Sequence, residues 1–228
     1  MISVVIPTYN EEKYLDKALK SIISGSIVPD EIIIVDDNSQ DRTIQIAISY
    51  NCKIWKVDKR NIGFARDFGM RVAKGDILVS TSADVIIDKD WLKNIVESIA
   101  NYDMVFGSIL VNSEDKVNVY TAKILKILQA VLWKFGWVWA SADNIAMRKE
   151  FYYKIGGFKH INLGEDIELI KRAKNFGKVY YNPNAIIYTS DRRVKKMGKI
   201  NFLKYYVKQF IKLNVGKIEN IEEYPAYR

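Results

Sequence analysis

Short, wholly apolar, strand-like runs that end abruptly in acidic turns most strongly constrain how this chain can fold. The run at residues 32–35 is followed at once by Asp36 and Asp37, and the run at residues 77–80 is followed after a short polar turn by Asp84. Because segments with a helical pattern lie between these runs, the sequence predicts an α/β protein whose mainly parallel sheet is covered on both faces. In such sheets ligands bind at the carboxyl ends of the strands.

A third acidic pair lies much later in the chain. Glu165 and Asp166 follow three glycines, Gly156, Gly157 and Gly164. Asp, Asn and Ser also form ordinary turns and cap helices, and this alternative applies to each acidic turn taken alone. Their ordered recurrence favours one shared site for a metal ion, a nucleotide or a general base.

The composition limits the class of protein. With 228 residues, of which 49% are hydrophobic, the chain can form one substantial core. Its single cysteine, Cys52, excludes an internal disulfide and fits a reducing compartment. The sequence shows neither a leader peptide nor an apolar stretch of the roughly 18 residues that a membrane span needs. We therefore expect a cytoplasmic protein, at most peripheral on the cytoplasmic face of a membrane.

The formal net charge of +8 favours an anionic partner. The late part of the chain carries a concentration of basic residues, namely Arg192, Arg193, Lys195, Lys196, Lys199, Lys204, Lys208 and Lys212. None of the motifs of nucleic-acid-binding modules accompanies them. The charge therefore indicates a phosphorylated substrate or an acidic membrane surface, and no nucleic acid.

Hydrophobic periodicity predicts alternating strands and helices. Strands are expected at residues 2–6, 32–35, 53–57, 77–80, 104–110, 144–148, 178–181 and 185–189. Helices are expected at residues 41–50, 61–73, 90–100, 119–135, 149–155, 165–176 and 202–215. One more helix is expected after Asn10, which would cap it with Glu11 and Glu12 in its first turn.

Four motifs occur in a fixed order along most of the chain. They are VVIPTYNEE at residues 4–12, VDDNS followed by Asp41 and Thr43, NIG with Ala65-Arg66 and Gly75-Asp76, and GGF followed by GED at residues 164–166. In this order and spacing they resemble the motifs of family-2 glycosyltransferases of the GT-A fold. The resemblance covers residues 2–193.

The resemblance implies a Rossmann-like, nucleotide-binding αβα sandwich with a mixed, mainly parallel central sheet. Residues 1–193 would form a single glycosyltransferase domain, with a nucleotide-sugar-binding half at about residues 1–100 and an acceptor half at about residues 101–193. Residues 194–228 would form a basic C-terminal extension with an amphipathic helix.

On the donor side the resemblance implies one set of nucleotide-binding residues: Pro7, Thr8, Tyr9, Glu11, Asp36, Asp37, Arg66 and Ala83. Asp37 can accept a hydrogen bond from the base or ribose, and Tyr9 can pack flat against the base. Glu11 has the alternative of favouring only a helix N-terminus. Arg66 has the alternative of being a solvated helix charge.

The expected metal site departs from the family pattern. The usual Asp-x-Asp is Ser82-Ala83-Asp84 here, and Thr189 stands where many relatives have a third ligand, His. The resemblance therefore implies Mg²⁺ or Mn²⁺ bound by Asp84 mainly together with the nucleotide. Arg192 and Arg193 are expected to bind the diphosphate, with a solvated basic run as the alternative.

On the acceptor side the resemblance implies Asp166 as general base, with Glu165, Gly157 and Trp139 beside the acceptor. The alternative for Asp166 is ordinary placement of an acid at a helix N-terminus. The acceptor would be a saccharide or a lipid-linked molecule.

Two segments suggest contact with a membrane. Residues 119–139 place tryptophans beside lysines, and residues 202–215 form an amphipathic helix with Leu203, Tyr206, Val207, Phe210 and Ile211 on one face. Both patterns suit an anionic membrane surface, and core packing is the alternative. An oligomer is also compatible with the sequence.

The predicted function is transfer of a sugar from a UDP- or GDP-linked donor to an acceptor hydroxyl, with inversion at the anomeric carbon. One alternative is a catalytically impaired sugar-nucleotide-binding protein, because Ser82 and Thr189 replace expected ligands. Another is a nucleotidyltransferase, although the turn at residues 7–10 is not the glycine-rich phosphate loop that such enzymes usually have.

Overall fold

The centre of the protein is a mixed sheet of eight strands, seen in a computed structural model that describes residues 1–111 and 116–215. The strands are β1 (Ile2–Thr8), β2 (Glu31–Asp36), β3 (Lys53–Lys56), β4 (Ile77–Ser80), β5 (Val85–Ile87), β6 (Met104–Val111), β7 (Ile145–Arg148) and β8 (Val179–Thr189). Their order across the sheet is β3-β2-β1-β4-β7-β6-β8-β5. The predicted mainly parallel α/β architecture is confirmed.

The first four strands of this order run parallel to one another. β7 then pairs antiparallel with both β4 and β6, β6 and β8 run parallel, and β5 pairs antiparallel with β8. Because Thr8 at the end of β1 is in register with Asp36 at the end of β2, the predicted nucleotide-binding residues meet at one edge.

Helices cover both faces of the sheet. They are α1 (Leu15–Ile23), α2 (Thr43–Ser49), α3 (Ile62–Val72), α4 (Trp91–Ile99), α5 (Lys116–Lys134), α6 (Lys149–Lys154), α7 (Glu165–Ala173), α8 (Arg192–Met197) and α9 (Lys199–Val215). In β1, Val4 and Ile6 pack with α1, α2 and α4, whereas Val5 packs with α3, α6 and α7. The alternation of strand side chains thus fills two cores and produces three layers.

The predicted cap at Asn10 is wrong. Asn10 has a φ of +53°, and α1 begins only at Leu15. The amide of Asn10 donates to Ser39 Oγ at 2.8 Å, and its side-chain Oδ1 accepts from the amide of Gln40 at 2.8 Å. The residue therefore joins the loop after β1 to the loop after β2.

The two strands predicted at residues 178–181 and 185–189 are one strand, β8, with an irregularity. The register passes from Gly107 opposite Asn182 to Ser108 opposite Ile186, so the chain around Pro183 bulges. Proline cannot donate a ladder hydrogen bond, which made the segment look interrupted in the sequence. The short elements β5 and α8 were not predicted.

Helix α9 packs against α7 and the loop around Val138. Leu213 is buried in the same core as α7, and Asn214 exchanges hydrogen bonds with the backbone of Val138 at 2.8 and 3.0 Å. α8 crosses the predicted boundary after Arg193, and the division at that residue stays a prediction. None of the helices in the described part of the chain is both long enough and apolar enough to cross a membrane.

Candidate active site

The turn after β2 is built around Asp36. Its fully buried carboxylate accepts from Thr8 Oγ1 at 2.9 Å, from the Ser39 amide at 2.8 Å and from Ser39 Oγ at 2.6 Å. Asn38 next to it has a φ of +63°, a conformation that Asn tolerates better than most residues. Asp36 therefore shapes the loop that presents Asp37.

Tyr9 directly follows the end of β1, and Asp37 directly follows the end of β2. The Asp37 carboxylate accepts from the Lys59 amide at 3.2 Å, and its own amide donates to the Thr8 carbonyl at 2.9 Å. The Arg60 guanidinium lies 3.7 Å from the centroid of the Tyr9 ring. Pro7 precedes them within β1. The structure thus groups these residues, and their contacts with a base stay predictions.

Arg192 connects Glu11 with Asp84. Its Nη1 lies 3.2 and 3.0 Å from the two Glu11 carboxylate oxygens, and its Nη2 lies 2.8 Å from Asp84 Oδ2. Burial lowers the pKa of Arg192, but the two carboxylates outweigh burial and raise it. The guanidinium also lies 5.1 Å from the Tyr14 ring centroid. Glu11 therefore does more than favour a helix N-terminus.

Arg193 points in a different direction. Its Nη1 donates to the hydroxyl of Tyr206 at 3.0 Å, which ties α8 to α9. The two predicted diphosphate residues thus lie at the junction of the donor edge and the C-terminal helix.

The side chains around Asp84 do not form a metal site on their own. Ser82 donates its hydroxyl to Asp143, and the Asp84 carboxylate already pairs with Arg192. Within residues 1–111 and 116–215, no three His, Cys, Asp or Glu side chains are grouped so that they could hold a metal ion. Ala83 between them is buried in the core. Asp84 would need oxygen ligands from elsewhere to bind a divalent cation.

Arg66 is buried beneath the site, with only 2% of its surface exposed. Its guanidinium donates to a ring of acceptors, the hydroxyls of Ser80 and Ser82, the carbonyls of Thr81 and Ala142, and the Asp143 carboxylate at 2.6 Å. Its Nε lies 3.8 Å from Glu165. The alternative of a solvated helix charge is therefore wrong. A contact with the nucleotide stays a prediction.

Asp143 is a site residue that the sequence reasoning missed. It lies in a single helical turn at Ala142–Asn144, just before β7, and accepts from Arg66, Ser82 and Ser141. Burial alone would raise the pKa of the Asp143 carboxyl group. The Arg66 guanidinium and the Ser82 hydroxyl lower it by more than burial raises it, so the net pKa is lowered. The sequence does carry a signal for this residue, because the acidic turn comes directly before an apolar strand, whereas the acidic turns predicted on the donor side come after strands.

Glu165 and Asp166 begin α7 behind Gly164, whose φ is +81°. Asp166 Oδ1 accepts from the Ile167 amide at 2.6 Å, and Oδ2 accepts from the Ala142 amide at 3.3 Å. Burial raises the pKa of both carboxyl groups, and the neighbouring Asp166 charge raises that of Glu165 further. A carboxylate whose pKa is raised toward neutrality is suited to general-base chemistry.

The two other residues predicted beside the acceptor, Gly157 and Trp139, lie in packed loops. Gly157 has a φ of +74°, a side chain there would overlap Asp67, and its carbonyl accepts from Arg172 at 2.7 Å. The Trp139 ring lies 5.6 Å from that of Phe210 in α9. The structure places Trp139 beside the C-terminal helix and Gly157 in the turn after α6.

Similarity to known proteins agrees with this geometry. Residues 3–156 match the model of glycosyl transferase family 2. The O-antigen chain rhamnosyltransferase RfbN of Salmonella typhimurium is 26% identical over 204 residues, which cover 82% of this chain and 65% of that protein. A dolichyl N-acetyl-alpha-D-glucosaminyl phosphate 3-beta-D-2,3-diacetamido-2,3-dideoxy-beta-D-glucuronosyltransferase of Methanococcus voltae is 33% identical over 106 residues, 42% of this chain and 33% of that protein. The chain thus spans at most about two thirds of the length of these relatives.

Solved structures share the fold. The mannosyltransferase PcManGT of Pyrobaculum calidifontis, in complex with GDP-Man and Mn²⁺, superposes with a TM-score of 0.66 at 23% identity, covering 98% of this chain and 66% of that one. S. aureus TarS in complex with UDP-GlcNAc superposes with a TM-score of 0.64 at 20% identity, covering 83% and 58%. The predicted GT-A fold is confirmed, and the chain belongs to glycosyl transferase family 2.

Proposed function

We propose that this protein transfers a sugar from a nucleoside diphosphate donor, UDP- or GDP-linked, to an acceptor hydroxyl with inversion at the anomeric carbon. The observation that carries the proposal is the Glu165–Asp166 pair at the start of α7, a buried and a partly buried carboxyl group whose pKa values are raised, as suits a general base. Similar structures contain UDP-GlcNAc or GDP-Man, which supports a donor of this class.

The donor would occupy the edge formed by β1 and β2. Asp37 would accept from the base or ribose, and Tyr9 would stack on the base once Arg60 moves from its ring. Thr8 and Asp36 would hold the turn in shape through their mutual hydrogen bond. This arrangement is supported by the register of the two strands.

Arg192 and Arg193 would meet the diphosphate. Guanidinium groups match phosphate oxygens in geometry and charge, and Arg192 is already held at the site by Glu11 and Asp84. If Arg192 turned toward the diphosphate, Asp84 would be the carboxylate that could hold a divalent cation together with oxygen ligands of the nucleotide. Mg²⁺ or Mn²⁺ held there would neutralise charge on the diphosphate. A similar structure that contains both GDP-Man and Mn²⁺ supports this proposal.

Asp166 would act as the general base. It takes the proton of the acceptor hydroxyl while that oxygen forms a bond to the anomeric carbon, and the bond from this carbon to the phosphate oxygen breaks. The nucleoside diphosphate leaves with the electron pair, and the arginines stabilise its charge. Burial raises the pKa of both Glu165 and Asp166, so the two neighbouring carboxyl groups would titrate as a pair that can share one proton.

The acceptor would be a saccharide or a lipid-linked molecule near Trp139 and Gly157. Support comes from the names of the relatives, because one is an O-antigen chain rhamnosyltransferase and another is named for a dolichyl N-acetyl-alpha-D-glucosaminyl phosphate. Trp139 would offer an aromatic surface to a sugar ring.

A donor screen tests the proposal. The purified chain is mixed with UDP- and GDP-sugars, and thermal stabilisation, nucleoside diphosphate release and the anomeric configuration of any product are measured. We expect stabilisation by one donor class and a product of inverted configuration. Binding without any turnover would indicate the impaired binder, which the Asp84–Arg192 pair favours. Pyrophosphate release from a nucleoside triphosphate would indicate a nucleotidyltransferase.

A further inference from the structure

Helix α9 has two apolar sides with different surroundings. On the inner side Leu213 is buried against α7, and the Phe210 ring lies 5.5 Å from that of Trp137. The outer side is a stripe of exposed apolar residues, 49% to 72% exposed, formed by Ile200, Leu203, Val207, Ile211 and Val215. The single apolar face predicted from the sequence is therefore split, because tertiary packing uses only part of it.

Helix α5 has a similar exposed stripe. Four of its members lie in the helix and the fifth, Phe135, follows directly after it. They are 41% to 76% exposed and are Ile124, Ile127, Leu128, Val131 and Phe135. The opposite side of the helix packs on the sheet, where the Trp133 ring lies 4.9 Å from that of Phe106. The loop that follows α5 meets the C-terminal half of α9 through the Trp137–Phe210 contact. Exposed apolar residues that form one contiguous patch mark an interaction surface.

The charges of the two helices decide which partner fits. Neither α5 nor α9 contains an Asp or Glu, and each contains four lysines. On α9, Lys199, Lys204 and Lys208 are exposed. A second copy of the chain would bring the same positive charges against these lysines, whereas anionic lipid headgroups would neutralise them while the acyl boundary receives the apolar stripe.

We propose that the outer stripes of α5 and α9 form a surface that binds a bilayer containing anionic lipids. The surface lies on the side of each helix opposite its packed side, so binding requires no rearrangement of the core. The proposal goes beyond sugar transfer and does not depend on it.

Vesicle co-sedimentation with the full chain tests this surface. We expect the protein to sediment with vesicles of phosphatidylcholine mixed with phosphatidylglycerol, and much less with phosphatidylcholine alone. The triple variant Leu203→Ser/Val207→Ser/Ile211→Ser should lower the partition coefficient at least tenfold, about 1.4 kcal/mol. The matched control, Ile23→Ser/Val28→Ser/Ile48→Ser, removes exposed apolar side chains outside both helices and should bind like the wild type.

Replacing lysines tests the electrostatic part. Lys204→Gln/Lys208→Gln should weaken binding to the anionic vesicles by about fivefold for each lysine and leave binding to phosphatidylcholine unchanged. All variants should melt like the wild type, because the replaced side chains are exposed. The proposal fails if the wild type stays in the supernatant, or if both triple variants bind equally. It also fails if light scattering shows that the wild type is a dimer and that the Leu203→Ser/Val207→Ser/Ile211→Ser variant is not.

Discussion

At the scale of single residues, the site is held together by paired charges. Arg66 forms an ion pair with Asp143 and lies close to Glu165. Arg192 forms ion pairs with both Glu11 and Asp84. A buried charge without a partner is costly, so each guanidinium fixes the carboxylates around it. Asp166, in contrast, accepts only from backbone amides among the hydrogen bonds resolved for it, which leaves it suited to take a proton.

Asp166→Asn should separate binding from catalysis. The amide keeps the shape of the side chain but cannot accept the proton, so turnover should fall roughly 10²–10⁴-fold. Donor affinity, measured by calorimetry, should be unchanged because Asp166 is predicted to face the acceptor and not the donor. Asp90→Asn at the exposed start of α4 is a control that should retain full turnover. Near-normal turnover of Asp166→Asn would remove this residue from the mechanism.

Arg192→Gln should change how the protein responds to a metal ion. In the wild type the guanidinium neutralises Glu11 and Asp84, so we expect weak binding of Mn²⁺ in the absence of nucleotide. The variant leaves two carboxylates without their counter-charge, and its affinity for Mn²⁺ alone should rise on the order of tenfold.

Electron paramagnetic resonance of free Mn²⁺ measures this affinity directly. Arg193→Gln is the matched control, because Arg193 contacts Tyr206 and its loss leaves the Glu11–Arg192–Asp84 contacts in place. Equal Mn²⁺ affinity in the wild type and in Arg192→Gln would show that the ion pair does not govern the carboxylates.

At the scale of elements, α9 is fixed against the start of α7. Leu213 packs against Gly164 at the start of α7, and Lys171 donates to the last carbonyls of α9 at 2.5 and 2.9 Å. A side chain at Gly164 would overlap Leu213. The glycine before Glu165 therefore serves both the left-handed turn and the close approach of the helix.

Leu213→Ala should loosen α9 from the rest of the protein. Removing this buried side chain should lower the free energy of unfolding by about 2 to 4 kcal/mol, measured by urea denaturation. Leu203→Ala on the exposed side of the same helix should change it by less than about 0.5 kcal/mol. Similar losses in both variants would contradict the observed docking of α9.

At the scale of the whole molecule, stability should depend on pH through the buried acidic pair. The pKa of Glu165 is raised above its ordinary 4.5, mainly by burial. Above pH 4.5 the unfolded chain loses a proton that the folded protein keeps, so the free energy of unfolding should fall as pH rises until Glu165 ionises in the folded state. The slope is at most about 1.4 kcal/mol per pH unit for one group.

Urea denaturation across this range measures the slope, and Glu165→Gln should flatten it. Glu31 acts in the opposite direction, because its pKa is lowered to about 2 and its contribution is lost only as pH falls below 4.5. Measurements above that pH exclude Glu31. Asp166, whose pKa is also raised by burial, adds a slope of the same sign, so the difference between the wild type and Glu165→Gln gives the contribution of Glu165. An unchanged slope in Glu165→Gln would mean that the pair is not buried in the folded protein.

The sequence by itself determined the αβα layering and the edge at which the residues predicted to bind the donor meet. Apolar runs such as residues 32–35 form a strand buried on both faces whatever the remote context, and parallel neighbours bring Thr8 beside Asp36. The order of the motifs also indicated the family that the comparison supports. Local patterns sufficed here because strand periodicity and turn chemistry act over a few residues.

Tertiary structure alone decided which charges pair and which apolar faces are covered. Arg66 reaches Asp143 across 77 positions and Arg192 reaches Glu11 across 181, distances in sequence over which no local pattern carries information. The outer and inner sides of α9 have the same hydrophobic character in the sequence. Only the packing of Leu213 and Phe210 against α7 and Trp137 determines which side is buried, because burial depends on what the fold places opposite a side chain.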